Sequence, residues 1–348
     1  MTTHSLQPVD NAVPGRLALV TGATLAISFL PVHAPEEKHP DTNLPCNTNS
    51  GGIGSACAKA LAAEGCDVVL HYSSSQEKAD TLVNELQRLH PKQLFSTARA
   101  DLSSREATRL LVPDVLSNPA ISARHKAISI LVANAGTGRR IRDIKDIEED
   151  DWDLTLEINA RSQFVVTKAC LPGMRGQGWG RVILVGSIAS RGGGINGCHY
   201  AASKGAMTSM GLNLATILAP EGVTVNIVSF PRRLPHAACV EAHSIQVQPA
   251  MIGATGMIPT PKATTWQSNT DPEELRSTDP GLAIASSVPV HRLGAPEEVA
   301  NIVVFGSQSL RSYTVGLYIS GAEFASTRHG SAMEMQIVYG EGYNTFVL

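Results

Sequence analysis

The sequence predicts an α/β fold built on a doubly wound parallel sheet. Short β-branched runs alternate along the chain with stretches whose apolar residues recur three and four apart. That is the pattern of βαβ units whose sheet is buried on both faces. In order, RLALVT (Arg16 to Thr21), DVVLHY (Asp67 to Tyr72), FSTAR, ISILVA (Ile128 to Ala133), RVILVG (Arg181 to Gly186) and VTVNIV (Val223 to Val228) are expected as strands. Between them, ACAKALAAEG, QEKADTLVNELQRL and one long stretch from Asp150 to Leu171 are expected as amphipathic helices.

Composition narrows the function classes. With 348 residues, 43% hydrophobic and 17% charged, the chain can bury a core and disorder is not expected. The net charge is -3 and no Lys/Arg run exceeds a pair, so the basic stripe that nucleic acid needs is missing and no nucleic-acid partner is expected. No apolar run approaches the roughly 18 to 20 residues that span a bilayer. The leader, residues 1–15, has neither a charged nor an apolar segment. A soluble, cytoplasmic protein with no membrane partner is the expectation. The cysteines Cys46, Cys57, Cys66, Cys170, Cys198 and Cys239 show no C-x-x-C spacing, so neither disulfides nor a metal site is expected.

Two segments break the alternation. Residues 25–50 carry Pro31, Pro35, Pro40 and Pro45 with no usable period, and residues 230–248 carry Pro231 and Pro235 near their start. Both are expected as long irregular loops.

The residues that can carry chemistry begin with YAASK, Tyr200 to Lys204. Residues four apart at a helix start share one face, and an ammonium beside a phenol favours phenolate, lowering a pKa near ~10 toward the range of a working proton donor. Ser187 lies thirteen positions upstream, at the mouth of the RVILVG strand, where sheets of this kind bind ligands. Its hydroxyl could hold a substrate carbonyl oxygen.

This spacing of Ser187, Tyr200 and Lys204 resembles the catalytic signature of the short-chain dehydrogenase/reductase family. The resemblance extends along residues 16–320. NAG (Asn134, Ala135, Gly136) is similar to the family's N-A-G motif, and Asn159 in EINARSQFVVTKA matches its helix asparagine, which holds a water and completes an Asn, Ser, Tyr, Lys tetrad. HRLGAPEEVA resembles the family's R-x-G-x-P-E-E-V-A segment, and Asp101 and Leu102 in ADL resemble the residues that read adenine. The glycine loop departs from the pattern. RLALVTGAT ends at Thr24 and GGIGSACAKAL begins at Gly51; only when joined do they read T-G-x-x-x-G-x-G. Gly22, Gly52, Ile53 and Gly54 would take its pyrophosphate-binding roles. VTVNIVS and PAMIGATGM likewise join across 230–248, placing Pro249 and Ile252 at the nicotinamide, with Ala250 where the family has Gly.

The resemblance implies a Rossmann-type NAD(P)-binding fold, a single domain over 16–320 interrupted by insertions at 25–50 and 230–248, and an unassigned tail at 321–348. Both segments look like late additions, most simply translated introns, and the first, emerging from the pyrophosphate cradle, is expected to weaken cofactor binding. It further implies an NAD(P)-dependent reductase with Asn159, Ser187, Tyr200 and Lys204 as catalytic residues and Tyr200 and Lys204 also touching cofactor. Lys204 is expected to hold ribose hydroxyls and depress the Tyr200 pKa. The second strand ends HYSSS, His71 to Ser75, without a carboxylate. Hydroxyls at Tyr72 and Ser73 and the nearby His71 imidazole therefore favour NADPH over NADH. The segment as a whole resembles 3-oxoacyl-(acyl-carrier-protein) reductases, implying an acyl-thioester or other small-molecule substrate and a homo-oligomer. Reduction of another ketone or secondary-metabolite carbonyl, or nucleotide binding without catalysis, are the alternatives.

Overall fold

In the computed structural model the described residues are 12–24, 52–138, 141, 143–191, 197–229 and 296–308, with strands at 318–320, 325–327, 330–332, 334–339 and 342–347. Seven strands form one parallel sheet: β1 (Leu17–Val20), β2 (Asp67–Tyr72), β3 (Phe95–Arg99), β4 (Ile130–Ala133), β5 (Gly180–Val185), β6 (Val223–Ser229) and β7 (Tyr318–Ser320). Their order across the sheet is β3-β2-β1-β4-β5-β6-β7, and every pairing is parallel. The central strands are buried on both faces, whereas edge strand β3 is half-exposed along most of its length. This difference explains why the former read as unbroken apolar runs.

Alternate residues of each strand feed two cores. Ala18, Val20, Val68, Leu70, Ile130 and Val132 pack with helices α1 (Gly52–Ala63), α2 (Gln76–Leu89) and α8 (Pro296–Gln308). Leu17, Leu19, Val69, Leu131, Val182 and Leu184 face the opposite layer, made by α3 (Arg105–Ser117), α6 (Ser162–Gly176) and α7 (Cys198–Leu218). A four-residue α4 (Pro119–Ser122) follows α3, and α5 (Glu149–Leu156) precedes α6. Neither α3 nor α4 stands among the expected helices; Pro113 lies inside α3 and breaks its signal.

The stretch from Asp150 to Leu171 is helical throughout, as expected, but it is not regularly α. A π-turn, Glu157–Arg161, separates α5 from α6. There the backbone pairs five residues apart, with the Ser162 N–H on Glu157 O, and the Ile158 carbonyl also accepts from Ser162 Oγ (2.6 Å) and Gln163 Nε2 (3.1 Å).

Beyond β7 the backbone forms two antiparallel pairs, β8 (Ala325–Thr327) with β9 (Gly330–Ala332) and β10 (Glu334–Tyr339) with β11 (Gly342–Val347). Both expected insertions, 25–50 and 230–248, lie outside the described residues. Among the described residues no helix is long and apolar enough to cross a membrane, and no group of three or more His, Cys, Asp or Glu could hold a metal. Cys57, Cys66 and Cys170 are buried, and burial pushes each thiol up to about 12. Cys198 is exposed, and Cys46 and Cys239 fall outside the described residues.

Candidate active site

The sheet topology creates the site. The chain runs outward from β1 to β2 and β3, then returns to place β4 on the other side of β1. At such a reversal the connections leave in opposite directions and a crevice opens at the carboxyl strand ends. Thr21 to Thr24 after β1, Ser73 after β2, Asp101 after β3, Asn134 to Gly136 after β4 and Ser187 after β5 all lie along that edge.

Ser187, Tyr200 and Lys204 converge there. Tyr200 and Lys204 stand one turn apart at the start of α7. The Ser187 hydroxyl acts on the Tyr200 phenol, favouring its ionised form, and its oxygen accepts the Ala189 N–H at 3.2 Å. Burial pushes the Tyr200 phenol above its usual pKa, and the opposing influence is the Ser187 hydroxyl. The net direction is thus opposite to the lowering expected beside Lys204, because burial is the largest influence. Lys204 is 4% exposed; its Nζ donates to the Val185 carbonyl at 2.9 Å, and burial pulls its pKa down to about 8.

Asn159 projects from the π-turn into the same region. Its amide is bound from three directions: it accepts from Thr137 N (2.7 Å) and donates to Thr137 O (2.8 Å) and Ser203 Oγ (3.0 Å). Ser203 Oγ in turn donates to the Tyr200 carbonyl at 2.8 Å, linking Asn159 to the turn of α7 that carries the phenol. Gly136 sits between them: a methyl there would lie 3.0 Å from Asn159 Oδ1 and 3.5 Å from Lys204 Nζ.

The two halves of the glycine loop also meet. A methyl on Gly54 would lie 2.5 Å from Gly22 O and 2.9 Å from Ala23 Cα, so residues on either side of segment 25–50 touch as one turn. Gly22 has φ +65°, a left-handed conformation that glycine adopts without strain, and a methyl there would sit 2.9 Å from Ala135 Cα. Thr21 Oγ1 receives the N–H groups of both Asn134 and Ala135 at 3.0 Å, and Asn134 Nδ2 donates back to Thr21 O and Gly22 O at 3.1 Å. Gly52 opens α1, with Ile53 buried beside it. A close-packed turn whose glycines leave the backbone open, set against the N-terminus of a 12-residue helix, fits the pyrophosphate of a dinucleotide.

At the ends of β2 and β3, the Tyr72 and Leu102 side chains are buried. Asp101 Oδ1 accepts from Ser103 N (3.0 Å) and Oγ (2.8 Å). The imidazole of His71 is not available to a 2'-phosphate, contrary to the expectation. It is fully buried, with Nδ1 accepting from Gly22 N and Nε2 on Ala100 O, each at 3.0 Å. The cation near Ser73 is Arg99, whose Nε approaches Ser73 O at 3.4 Å. Pro249 and Ile252 lie outside the described residues.

Sequence reasoning missed Thr21, Arg99 and Ser203 as individuals. Each had a weak signal: Thr21 opens T-G, Arg99 ends FSTAR, and Ser203 lies inside YAASK.

Comparison with known proteins identifies the family. Residues 48–231, more than half of the chain, match the family described as short chain dehydrogenase. Nodulation protein G of Azospirillum brasilense is 29% identical over 266 residues, covering 76% of this chain and 90% of that protein. The 3-oxoacyl-(acyl-carrier-protein) reductase FabG of Thermotoga maritima is 28% identical over 270 residues, 78% and 92% of the two chains. A solved structure, a short chain dehydrogenase from Burkholderia cenocepacia in complex with NADP, superposes with a TM-score of 0.62 at 27% identity, covering 89% of this chain and 98% of that one. By the reach of the family match, which takes in Asn159, Ser187, Tyr200 and Lys204, the chain belongs to the short chain dehydrogenase family of nicotinamide-dependent oxidoreductases.

Proposed function

We propose that the protein reduces a carbonyl to a hydroxyl with NADPH, and that its substrate is a 3-oxoacyl thioester. The observation that carries the reductase reading is the placement of Ser187 directly after β5 and of Tyr200 and Lys204 one turn apart at the start of α7, with Lys204 Nζ bound to the Val185 carbonyl at the same strand end. The Ser187 hydroxyl orients the substrate oxygen, and the Tyr200 phenol, in reach of the same oxygen, gives it a proton. Lys204 holds the ribose, and Asn159, through Ser203, holds the helix turn that presents the phenol. When bound, the reduced nicotinamide supplies the hydrogen and electron pair that the carbonyl carbon receives. Gly22, Gly52, Ile53 and Gly54 would cradle the pyrophosphate, and Asp101 and Leu102 would border the adenine.

NADPH rather than NADH is favoured by the absence of a carboxylate at the end of β2 and by Arg99 beside Ser73. The oxoacyl assignment is supported by relatives such as the Thermotoga reductase. Segments 25–50 and 230–248 are additions to one domain spanning 16–320. Support comes from the contact of Gly54 with Gly22 across the first segment, and from a family match that starts at 48 and stops at 231, at the two borders. Transcripts carrying both segments at full abundance would count against a translated-intron origin. The exposed Leu154, Phe164 and Ile217 suit self-association, which light scattering would measure, and the protein is assigned to the cytoplasm.

The test is NADPH oxidation by the full chain against acetoacetyl thioesters and a panel of small ketones, with Tyr200→Phe as control. Turnover should be fastest on the thioesters and lost in Tyr200→Phe, while cofactor binding is retained. Faster turnover of an unrelated ketone would remove the oxoacyl assignment, and full activity in Tyr200→Phe would remove the mechanism.

A further inference from the structure

One buried side chain joins the strand ends that form the adenosine side of the crevice. His71 Nδ1 accepts the Gly22 N–H, its carbonyl accepts the Ala23 N–H at 2.9 Å, and its Nε2 lies 3.0 Å from the carbonyl of Ala100, next to Asp101. Because Nδ1 is an acceptor, the ring hydrogen sits on Nε2 and is donated to Ala100. The imidazole thereby ties β2 to the glycine turn on one side and to the end of β3 on the other.

This tie has a particular use in this chain. The near half of the glycine turn, Thr21 to Thr24, reaches its far half at Gly52 only through the long segment 25–50. Short covalent connection cannot hold it against α1, so non-covalent bonds must. Two of the turn's backbone N–H groups, at Gly22 and Ala23, are held by His71. A charged imidazole would turn Nδ1 into a donor facing the Gly22 donor. Burial prevents this, holding the ring neutral down to about 4 against the opposite pull of the Ala100 carbonyl and of Asp101.

We propose that His71 is a positioning residue for the dinucleotide: it fixes the phosphate-receiving turn and couples it to the Ala100–Asp101 turn that borders the adenine. This rests on the cofactor reading given above.

Two substitutions separate the two ring nitrogens. In His71→Asn the amide oxygen stays close to the position of Nδ1 and keeps an acceptor for Gly22 N–H. In His71→Gln the amide reaches the position of Nε2 and leaves Gly22 N–H buried without a partner. Titration calorimetry of the full chain with NADPH, and with 2',5'-ADP as the adenosine end alone, should place His71→Asn within about threefold of wild type and His71→Gln about tenfold or more weaker for both ligands. Thermal melts of the two variants accompany the titrations. A purely structural histidine would instead lower affinity only in step with stability. The proposal is overturned if His71→Gln binds as tightly as His71→Asn, or if both match wild type. Should His71→Gln not fold, His71→Asn decides alone: near-wild-type affinity supports the role and a tenfold loss overturns it. If wild type binds neither nucleotide, the cofactor reading itself falls and this proposal with it.

Discussion

Replacing Gly54 by alanine tests whether the two halves of the glycine loop act as one cradle. The added methyl would meet Gly22 O at 2.5 Å, Asn134 Nδ2 at 2.8 Å and Ala23 Cα at 2.9 Å. Two of these atoms are backbone, and the third belongs to an amide already bound to Thr21 O and Gly22 O. No flexible side-chain end can yield, so the turn must separate from α1. Overpacking of this kind costs about 1–3 kcal/mol, offset by up to about 1 kcal/mol because alanine is the better helix residue. A net loss of about 1–2 kcal/mol lowers the melting temperature by roughly 2–8 °C in a domain of this size. Cofactor affinity should suffer more, since each charge-assisted bond from the turn to phosphate is worth about 1.5–3 kcal/mol, or about ten- to a hundredfold. Gly205→Ala is the matched control. There a methyl meets only Ser190 O at 3.6 Å, inside helix α7, so stability should rise by about 0.5–1 kcal/mol. Differential scanning fluorimetry and NADPH titration of both variants decide the matter. An unchanged melting temperature together with an unchanged dissociation constant in Gly54→Ala would refute the contact and the cradle built on it.

Three further outcomes follow from burial. Lys204 is pulled down to about 8 from 10.5; between those values the unfolded chain holds the proton and the folded chain does not. Stability should therefore rise as pH climbs from 8 to 10.5, and denaturant titrations of Lys204→Met should lack that rise. Cofactor affinity should fall earlier, as pH climbs through about 8 and the folded chain loses the ammonium. His71, lowered from 6.5 to about 4, has the same sign at lower pH: its contribution is complete above 6.5 and declines as pH falls toward 4, a slope that His71→Asn should flatten in urea melts. Asn159→Ala strands Thr137 N–H and O, both now paired with the amide, and should lose about 2 kcal/mol or more in urea midpoint along with turnover.

Local pattern carried much of the architecture. Strands β1, β2, β4, β5 and β6 stand within two residues of their expected bounds at each end, and α2 spans the expected Gln76–Leu89. A strand buried on both faces must be apolar throughout, and a helix lying on a sheet must repeat every three to four residues, so both signatures are written in neighbouring positions. Ser187, Tyr200 and Lys204 were legible for a related reason: two sit on one helix turn and the third ends a strand. Other features depend on partners distant in sequence. Asn159 is gripped by Thr137 and Ser203, and one extra residue in a π-turn barely alters an apolar period, so the π-turn joining α5 to α6 was invisible. His71 looked like an exposed imidazole at a strand end until Gly22 and Ala100 were seen to enclose it. The sequence by itself determined most strands and helices and singled out the candidate reactive side chains, because those follow from composition and spacing along the chain. Only the tertiary structure decided which buried polar groups pair with which, because each bond joins residues that meet solely through the packing of the sheet.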